Sequence, residues 1–429
     1  MNNMVKIFSL FAWRALFVGM VVCLSLSQAR VSAALPVFPG AAGFGTETPA
    51  GRGGRIVRVT NLADSGPGSL REALSEIKAP RIVVFDVGGV IELASPLVVR
   101  HPFLTVAGQT APAPGIILEG FGLRIHTHDV LLQHLFIRAN PALADQDCIS
   151  IQPNRSDRPF NVVIDHCSLA WANDENLAIF PGYDNRFEQN MTISNCLIAG
   201  GHYGVLIGSK ATNITLLRNI VMHSLERQPR LGGGTTVNLL NNLFYNVSGR
   251  EHMAIGSVHG PDRLSLAGNV FLSGPDNRPD GAAMAGADLQ AGSRIYAPTS
   301  GPNTNQSSGR LLAPSLGFAL RSAPPVPLDA FNIIPAAQVE SLLAATVGAR
   351  PAERKTVHGN QVDKTFLGEL AERRGRVTNR FRPEWPWPTT HRRDFGLLSP
   401  IDPNGDADGD SYSNIEEVLQ EMAVALELR

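Results

Sequence analysis

Five stretches decide the fold: NVVIDHCSLAW (161–171), NMTISNCLIAG (190–200), NITLLRNIVMH (213–223), TVNLLNNLFYN (236–246) and RLSLAGNVFLS (263–273). Each is a short alternating run rich in β-branched residues, followed by a polar residue, usually Asn, and a second apolar run. Aligned on His166, Asn195, Asn219, Asn242 and Asn269, they recur at spacings of 29, 24, 23 and 27. VLLQHLFIRA (130–139), with His134 in the same register, extends the series backwards. Self-similarity of this kind marks a solenoid. Short Val/Ile/Leu strands, Gly-rich turns and few helical stretches point to a coil of parallel strands, and no LxxLxLxxN frame recurs to suggest a leucine-rich horseshoe. Asn at the same turn of successive coils can adopt left-handed geometry and bond the amide one coil above, satisfying polar groups at a buried corner. The competing reading is a β-sandwich with coincidental spacing.

Outward from the repeats, GPGSLREAL (66–74) supplies a short helix able to close the N-terminal end of the solenoid, where strand edges would otherwise be exposed. Residues 275–330, rich in Gly, Pro, Ala, Ser and Asn, read as long loops or a linker along the flank. Val339 to Ala345 and Glu416 to Leu428 look helical. The expected organisation is a repeat domain over 34–275, a loop-rich region over 276–400 completing or packing on it, and a terminal segment over 401–429.

With 44% apolar residues, 17% charged residues and a net charge of -1, the chain can bury a large core and has no non-specific attraction for nucleic acid. Length alone suggests two or three domains, but repeats add to one continuous core. Lys6 and Arg14 precede a largely apolar stretch, Ala15 to Leu26, that runs on to Val31-Ser32-Ala33-Ala34. This reads as a secretory signal peptide cut near Ala33, the stretch being shorter than the ~20 residues that span a bilayer. A secreted or periplasmic protein is expected, with no membrane span after residue 33. Cys23 leaves with the leader. Cys148, Cys167 and Cys196 cannot all pair with one another, and each sits in an apolar strand-like segment, so buried thiols are expected rather than a disulfide framework.

Three polar clusters fall in or beside neighbouring coils. In Asp145-Gln146-Asp147, strand alternation would place both carboxylates on one side. Asp174-Glu175 follows one coil later. Together they could supply the several oxygen ligands that calcium wants. Glu226-Arg227-Gln228-Pro229-Arg230 lies two coils further on. Arginine there can bind anions in bidentate fashion, or act as a base if a metal and desolvation drive its pKa far down. Asp165-His166 could be an acid/base pair, but its repeat position assigns His166, like His134, to the internal ladder. His223, four residues before Arg227, is a candidate for supporting substrate binding.

At these residues the sequence resembles the polysaccharide lyase family that contains the pectate lyases, from about Phe38 to Asn269. Six segments match in order: FPGAAGFGTETPAGRGG (38–54), VTNLADSGPGSLREAL (59–74), IVVFDVGGVIEL (82–93), LTVAGQTAPAPGI (104–116), IDHCSLAW (164–171) and RQPR (227–230). The resemblance implies a right-handed parallel β-helix and calcium bridging protein carboxylates to a galacturonate carboxylate. It implies that Asp145 and Asp147 correspond to two ligands spaced by one residue, and that Asp174 or Glu175 corresponds to the third. Arg227 lies where the family's catalytic arginine removes the proton at C5; calcium stabilises the enolate-like charge and the C4 oxygen departs. Arg230 belongs to the same RxPR element and is expected to bind substrate. Three positions depart from the pattern: Ala178 replaces a frequent further acid, Gly232 replaces a second binding arginine, and His202 falls near the substrate-binding lysine. The implied partner is an acidic plant-type polysaccharide, and a monomer is expected.

A second calcium motif closes the chain, DPNGDADGDSYSNIEEVL (402–419). With Asp406 first, Asp408, Asp410, the Tyr412 carbonyl, Asn414 and Glu417 occupy the third, fifth, seventh, ninth and twelfth places of an EF-hand-like loop. Ser411 replaces the glycine preferred at the sixth place, and no entering helix is evident. The loop resembles short calcium repeats appended to extracellular bacterial enzymes, and a structural role is expected; a disordered acidic linker is the alternative. For the whole chain, the alternatives to a pectate-cleaving lyase are a non-catalytic or degenerate polysaccharide-binding β-helix, a lyase for another uronate polymer, or a hydrolase relying on carboxylates alone.

Overall fold

A computed structural model describes residues 35–154, 157–182, 188–249, 251–256, 258–278, 281–356, 360–378 and 390–427. The expected leader lies outside the described residues. From Arg55 to Leu312 the chain winds as a β-solenoid of three parallel sheets. Sheet I contains Val130–Gln133, Val162–Asp165, Met191–Ser194 and Ile214–Leu217; sheet II contains Ile149–Ile151, Glu175–Ile179, Tyr203–Ile207 and Arg230–Leu231; sheet III contains Leu135–Ala139, Ser168–Ala170, Leu197–Ala199 and Ile220–Met222. The alternating runs dictate this arrangement, because every second side chain points inward. Val130, Val162, Met191, Ile214, Val237 and Leu264 stack in register along sheet I, all buried. Truncating such a residue to Ala costs about 2–5 kcal/mol.

The ladder exists and runs through three of the aligned residues, Asn219, Asn242 and Asn269, whereas at His166 and Asn195 it lies one residue on, at Cys167 and Cys196. His134, His166, Asn195, Arg218, Asn241 and Gly268 all take positive φ, from 48° to 65°, at the corner leaving sheet I. The residue after each turns inward, and there the interior ladder runs: Asn219, Asn242 and Asn269 each donate through Nδ2 to the Oδ1 of the Asn one coil on, ending at Asn305, at 2.8–3.1 Å. Cys196 N–H donates to Asn219 Oδ1, and Cys167 N–H to Cys196 Sγ, so two of the buried free thiols continue the series. His134 and His166 are therefore not ladder members. They stack on each other outside it, ring centroids 5.4 Å apart.

Ser69 caps the helix Leu70–Ser75, and its Leu70, Ala73 and Leu74 join the core against the first strands of sheets I and II. Part of the stretch expected to be loop continues the coil as Ala282–Asp288, Arg294–Tyr296, Gln306–Ser307 and Arg310–Leu312. Helices Ala336–Thr346 and Gln361–Ala371 cover the outer face of sheet III through Val339, Leu343 and Phe366. Helix Asn414–Glu427 covers sheet I through Ile415 and Leu419. No helix among the described residues is long and apolar enough to cross a membrane.

Candidate active site

The polar clusters meet where the chain enters sheet II. Glu175, Tyr203 and Glu226 stack in register on three successive coils, because the coil is closed by parallel pairing at each of them. Carboxylate oxygens of Asp147, Asp174 and Glu175 approach within 4.8 Å of one another. Asp147 Oδ1 also accepts the Glu175 N–H at 3.0 Å. Burial, with the charge of Asp174 added, pushes the Asp147 carboxyl up to about 7 against the pull of Ser150, Arg124 and Arg227. Three carboxylates with surplus negative charge suit calcium by donor type and supply part of the roughly 6–8 oxygens it takes.

Asp145 does not join them. It is exposed and takes a φ of 52°, before the extended run that begins at Ile149.

Arg227, itself at φ 66°, lays its guanidinium 3.7 Å from the centre of the Tyr203 ring and forms an ion pair with Glu175. Burial, then Arg230, lowers the Arg227 pKa, while Asp174 and Asp147 oppose the shift. Arg230 opens with Arg227 onto a groove of about 720 Å³. Arg278, Ser209, Phe180 and Leu206 line the same groove, together with Glu226 and Glu251. Arg278 and Ser209 were not singled out from the sequence; Arg278 stands in the Pro/Gly-rich stretch and carries no repeat signal. At Gly232 a Cβ would come within 2.5 Å of the Ser209 backbone N, so the close approach of two coils excludes a side chain. Ala178 lies buried on the strand Glu175–Ile179.

The histidines separate. His202 is half-buried, stacked on Tyr203 at 4.0 Å with its Nδ1 3.1 Å from the Asn173 carbonyl, so the ring of Tyr203 carries both His202 and Arg227. His223 is fully buried at the opposite end of its coil segment, between Asn246 and Glu369 of the helix Gln361–Ala371. The expectation that it binds substrate fails, because the left-handed corner at His223 turns its ring under that helix rather than toward the groove.

In the terminal loop, oxygens of Asp406, Asp408 and Asp410 also cluster. Asp406 accepts the N–H groups of Gly409 and Ser411, and Asp410 that of Tyr412. Ser411 takes φ 80°, the left-handed turn that the sixth loop position demands. Burial first, then Asp408, Asp410 and Asp406, raise the Glu417 pKa, so its carboxyl shares their field. Glu416 accepts both the N–H and the Oγ–H of Ser413 at the start of the helix, and Arg52 pairs with Glu416, anchoring loop and helix to the solenoid.

No protein-family model matches the chain. It is 36% identical over 265 residues to probable pectate lyase C of Aspergillus flavus, covering 60% of this chain and 59% of that protein. Probable pectate lyase C of Neosartorya fischeri is 37% identical over 250 residues, 56% of this chain and 55% of that one. The chain thus spans less than two thirds of the length of these curated relatives. Among solved structures, Jun a 1, the major allergen from cedar pollen, superposes with a TM-score of 0.55 at 19% identity over 71% of this chain and 91% of that one. A thermostable pectate lyase gives 0.54 at 14% identity over 74% and 98%. The likeness to these two is one of fold, and the resemblance read from the six segments is borne out in both sequence and architecture.

Proposed function

We propose that this chain, a relative of proteins named probable pectate lyase C with the β-solenoid fold of the pectate lyases, is an exported lyase that cleaves (1→4)-linked galacturonan by β-elimination, with Arg227 as base. The observation that carries this reading is Arg227 paired with Glu175 of the Asp147, Asp174 and Glu175 cluster at the edge of an arginine-lined groove.

Asp147, Asp174 and Glu175 fit calcium by donor type and surplus charge, and Asp145 is left out of the ligand set. Bound there, calcium would neutralise the substrate's uronate carboxylate and relieve Arg227 of its hold on Glu175. The remaining work falls to the chain's own side chains. Arg230 and Arg278 attract and orient the polyanion. Tyr203 fixes the plane of the Arg227 guanidinium, and burial lowers its pKa toward use as a base. Arg227 then takes the C5 proton, electrons shift to form the C4–C5 double bond, and the C4 oxygen leaves with the departing chain end. His202, stacked on Tyr203, contributes a hydrogen-bonding group where the family resemblance implies a substrate-binding lysine.

The Asp406, Asp408, Asp410, Tyr412, Asn414 and Glu417 loop is assigned a structural calcium ion that stiffens the start of the terminal helix. Its side chains already occupy turn geometry.

Ultraviolet absorbance of polygalacturonate incubated with the purified protein tests the proposal. A calcium-dependent rise, abolished by chelator, supports elimination. No rise on polygalacturonate, methylated pectin or rhamnogalacturonan would sink it in favour of a binding protein.

A further inference from the structure

We infer that His134, His166 and Glu427 form a second metal centre, a buried site for a divalent ion of the zinc class that ties the terminal helix to the solenoid wall. All three residues are at most 2% exposed, and their ligand atoms lie within 4.8 Å of one another.

The distances speak for a metal. Glu427 Oε1 lies 3.2 Å from His134 Nε2 and 3.3 Å from His166 Nδ1. Charge-assisted N–H···O bonds are shorter, about 2.7–2.9 Å. A tetrahedral ion with bonds of ~2.0–2.1 Å holds its ligand atoms about 3.3 Å apart.

The tautomer argues the same way. His134 Nδ1 lies 2.7 Å from the Ala349 carbonyl, which only accepts, so Nδ1 carries the proton. In the neutral ring the Nε2 lone pair then faces Glu427 Oε1 at 3.2 Å, acceptor against acceptor. A backbone carbonyl on the far ring nitrogen is the arrangement that orients histidine ligands of metals.

Metal at His166 Nδ1 displaces the proton now shared with Asp165 at 2.8 Å, which goes to solvent. Asp165 keeps its donors Ser194, Asn195 and Gln133. A cavity of about 450 Å³ under the terminal helix is lined by Glu427 but by neither histidine, so water reaches the fourth ligand position from the carboxylate end of the site. Two imidazoles select a zinc-class ion over calcium, so this centre is chemically distinct from the carboxylate sites.

The test uses the full chain, stripped with chelator, loaded with zinc in the presence of excess calcium, desalted and assayed for metal by mass spectrometry. One zinc per chain should remain, with a raised melting temperature. Glu427→Gln and His134→Gln, which preserve side-chain size, should each lose that equivalent. Cobalt loading should give the visible d–d absorption of a four-coordinate centre in the wild type and not in Glu427→Gln, the milder change at the helix end. No retained zinc, or equal retention in the folded variants, overturns the inference in favour of a buried histidine–carboxylate network held by protons alone.

Discussion

Arg227 reaches Glu175 across an intervening coil, over the face of Tyr203, so the candidate base and a candidate metal ligand hold one another. Removing the guanidinium should therefore act first on chemistry. Arg227→Ala is expected to lower the elimination rate by about 10²–10⁴-fold, the usual worth of a positioned proton-transfer group. Far-ultraviolet circular dichroism should be unchanged, because Arg227 contributes nothing to the stacked core. Full activity in this variant would reassign the base.

The same pairing makes Arg227 a competitor for Glu175. Arg227→Ala should bind calcium several-fold more tightly than the wild type in calorimetric titration, since about 1 kcal/mol of partly buried ion pair no longer has to be broken. Asp147→Asn should weaken calcium binding, whereas Asp145→Asn should leave it unchanged.

Asp147 predicts a pH dependence. Its carboxyl rises from an ordinary 3.8 to about 7 in the fold. Between those values the folded chain holds a proton that the unfolded chain has released, so this group's contribution to stability is lost as pH rises through that window. Melting temperatures of the calcium-free protein should fall accordingly from pH ~4 to ~7, and Asp147→Asn should flatten the slope. Calcium affinity should rise over the same range as the proton leaves.

Asn242 sits fully buried in the interior ladder, accepting from Asn219 and donating to Asn269 and to the Leu216 carbonyl. Asn242→Ala leaves several buried groups unsatisfied, each worth about 1–3 kcal/mol. Chemical denaturation should show a loss of at least ~2 kcal/mol.

Ser411 bears a left-handed φ that glycine adopts without strain. Ser411→Gly should stabilise the terminal segment by about 0.5–1 kcal/mol. Differential scanning calorimetry with and without calcium should register it, while lyase activity stays level.

The solenoid was legible because its cause is local. Val162, Ile164, Met191 and Ile193 point inward by simple alternation, and the coil repeats that pattern until it announces itself. The ladder register was less legible at His166-Cys167 and Asn195-Cys196, where a polar residue takes the corner and a thiol the interior. Only the left-handed φ of His166 and Asn195 separates the two roles. Asp147, Asp174, Glu175 and Arg227 come together because stacked coils convert a sequence period into adjacency. Asp145, at a positive φ, stays outside that cluster.

Periodicity by itself thus determined the coil, its capped end, the face bearing the carboxylates and the arginine, and the spacing of the terminal loop, all consequences of short-range geometry. Tertiary packing alone decided that His223 lies beneath a helix 146 residues further along the chain, that Arg278 opens onto the groove, and that Glu427 meets His134 and His166. Those relations join segments with no shared repeat, and nothing short of burying one helix against sheet I and two against sheet III brings them together.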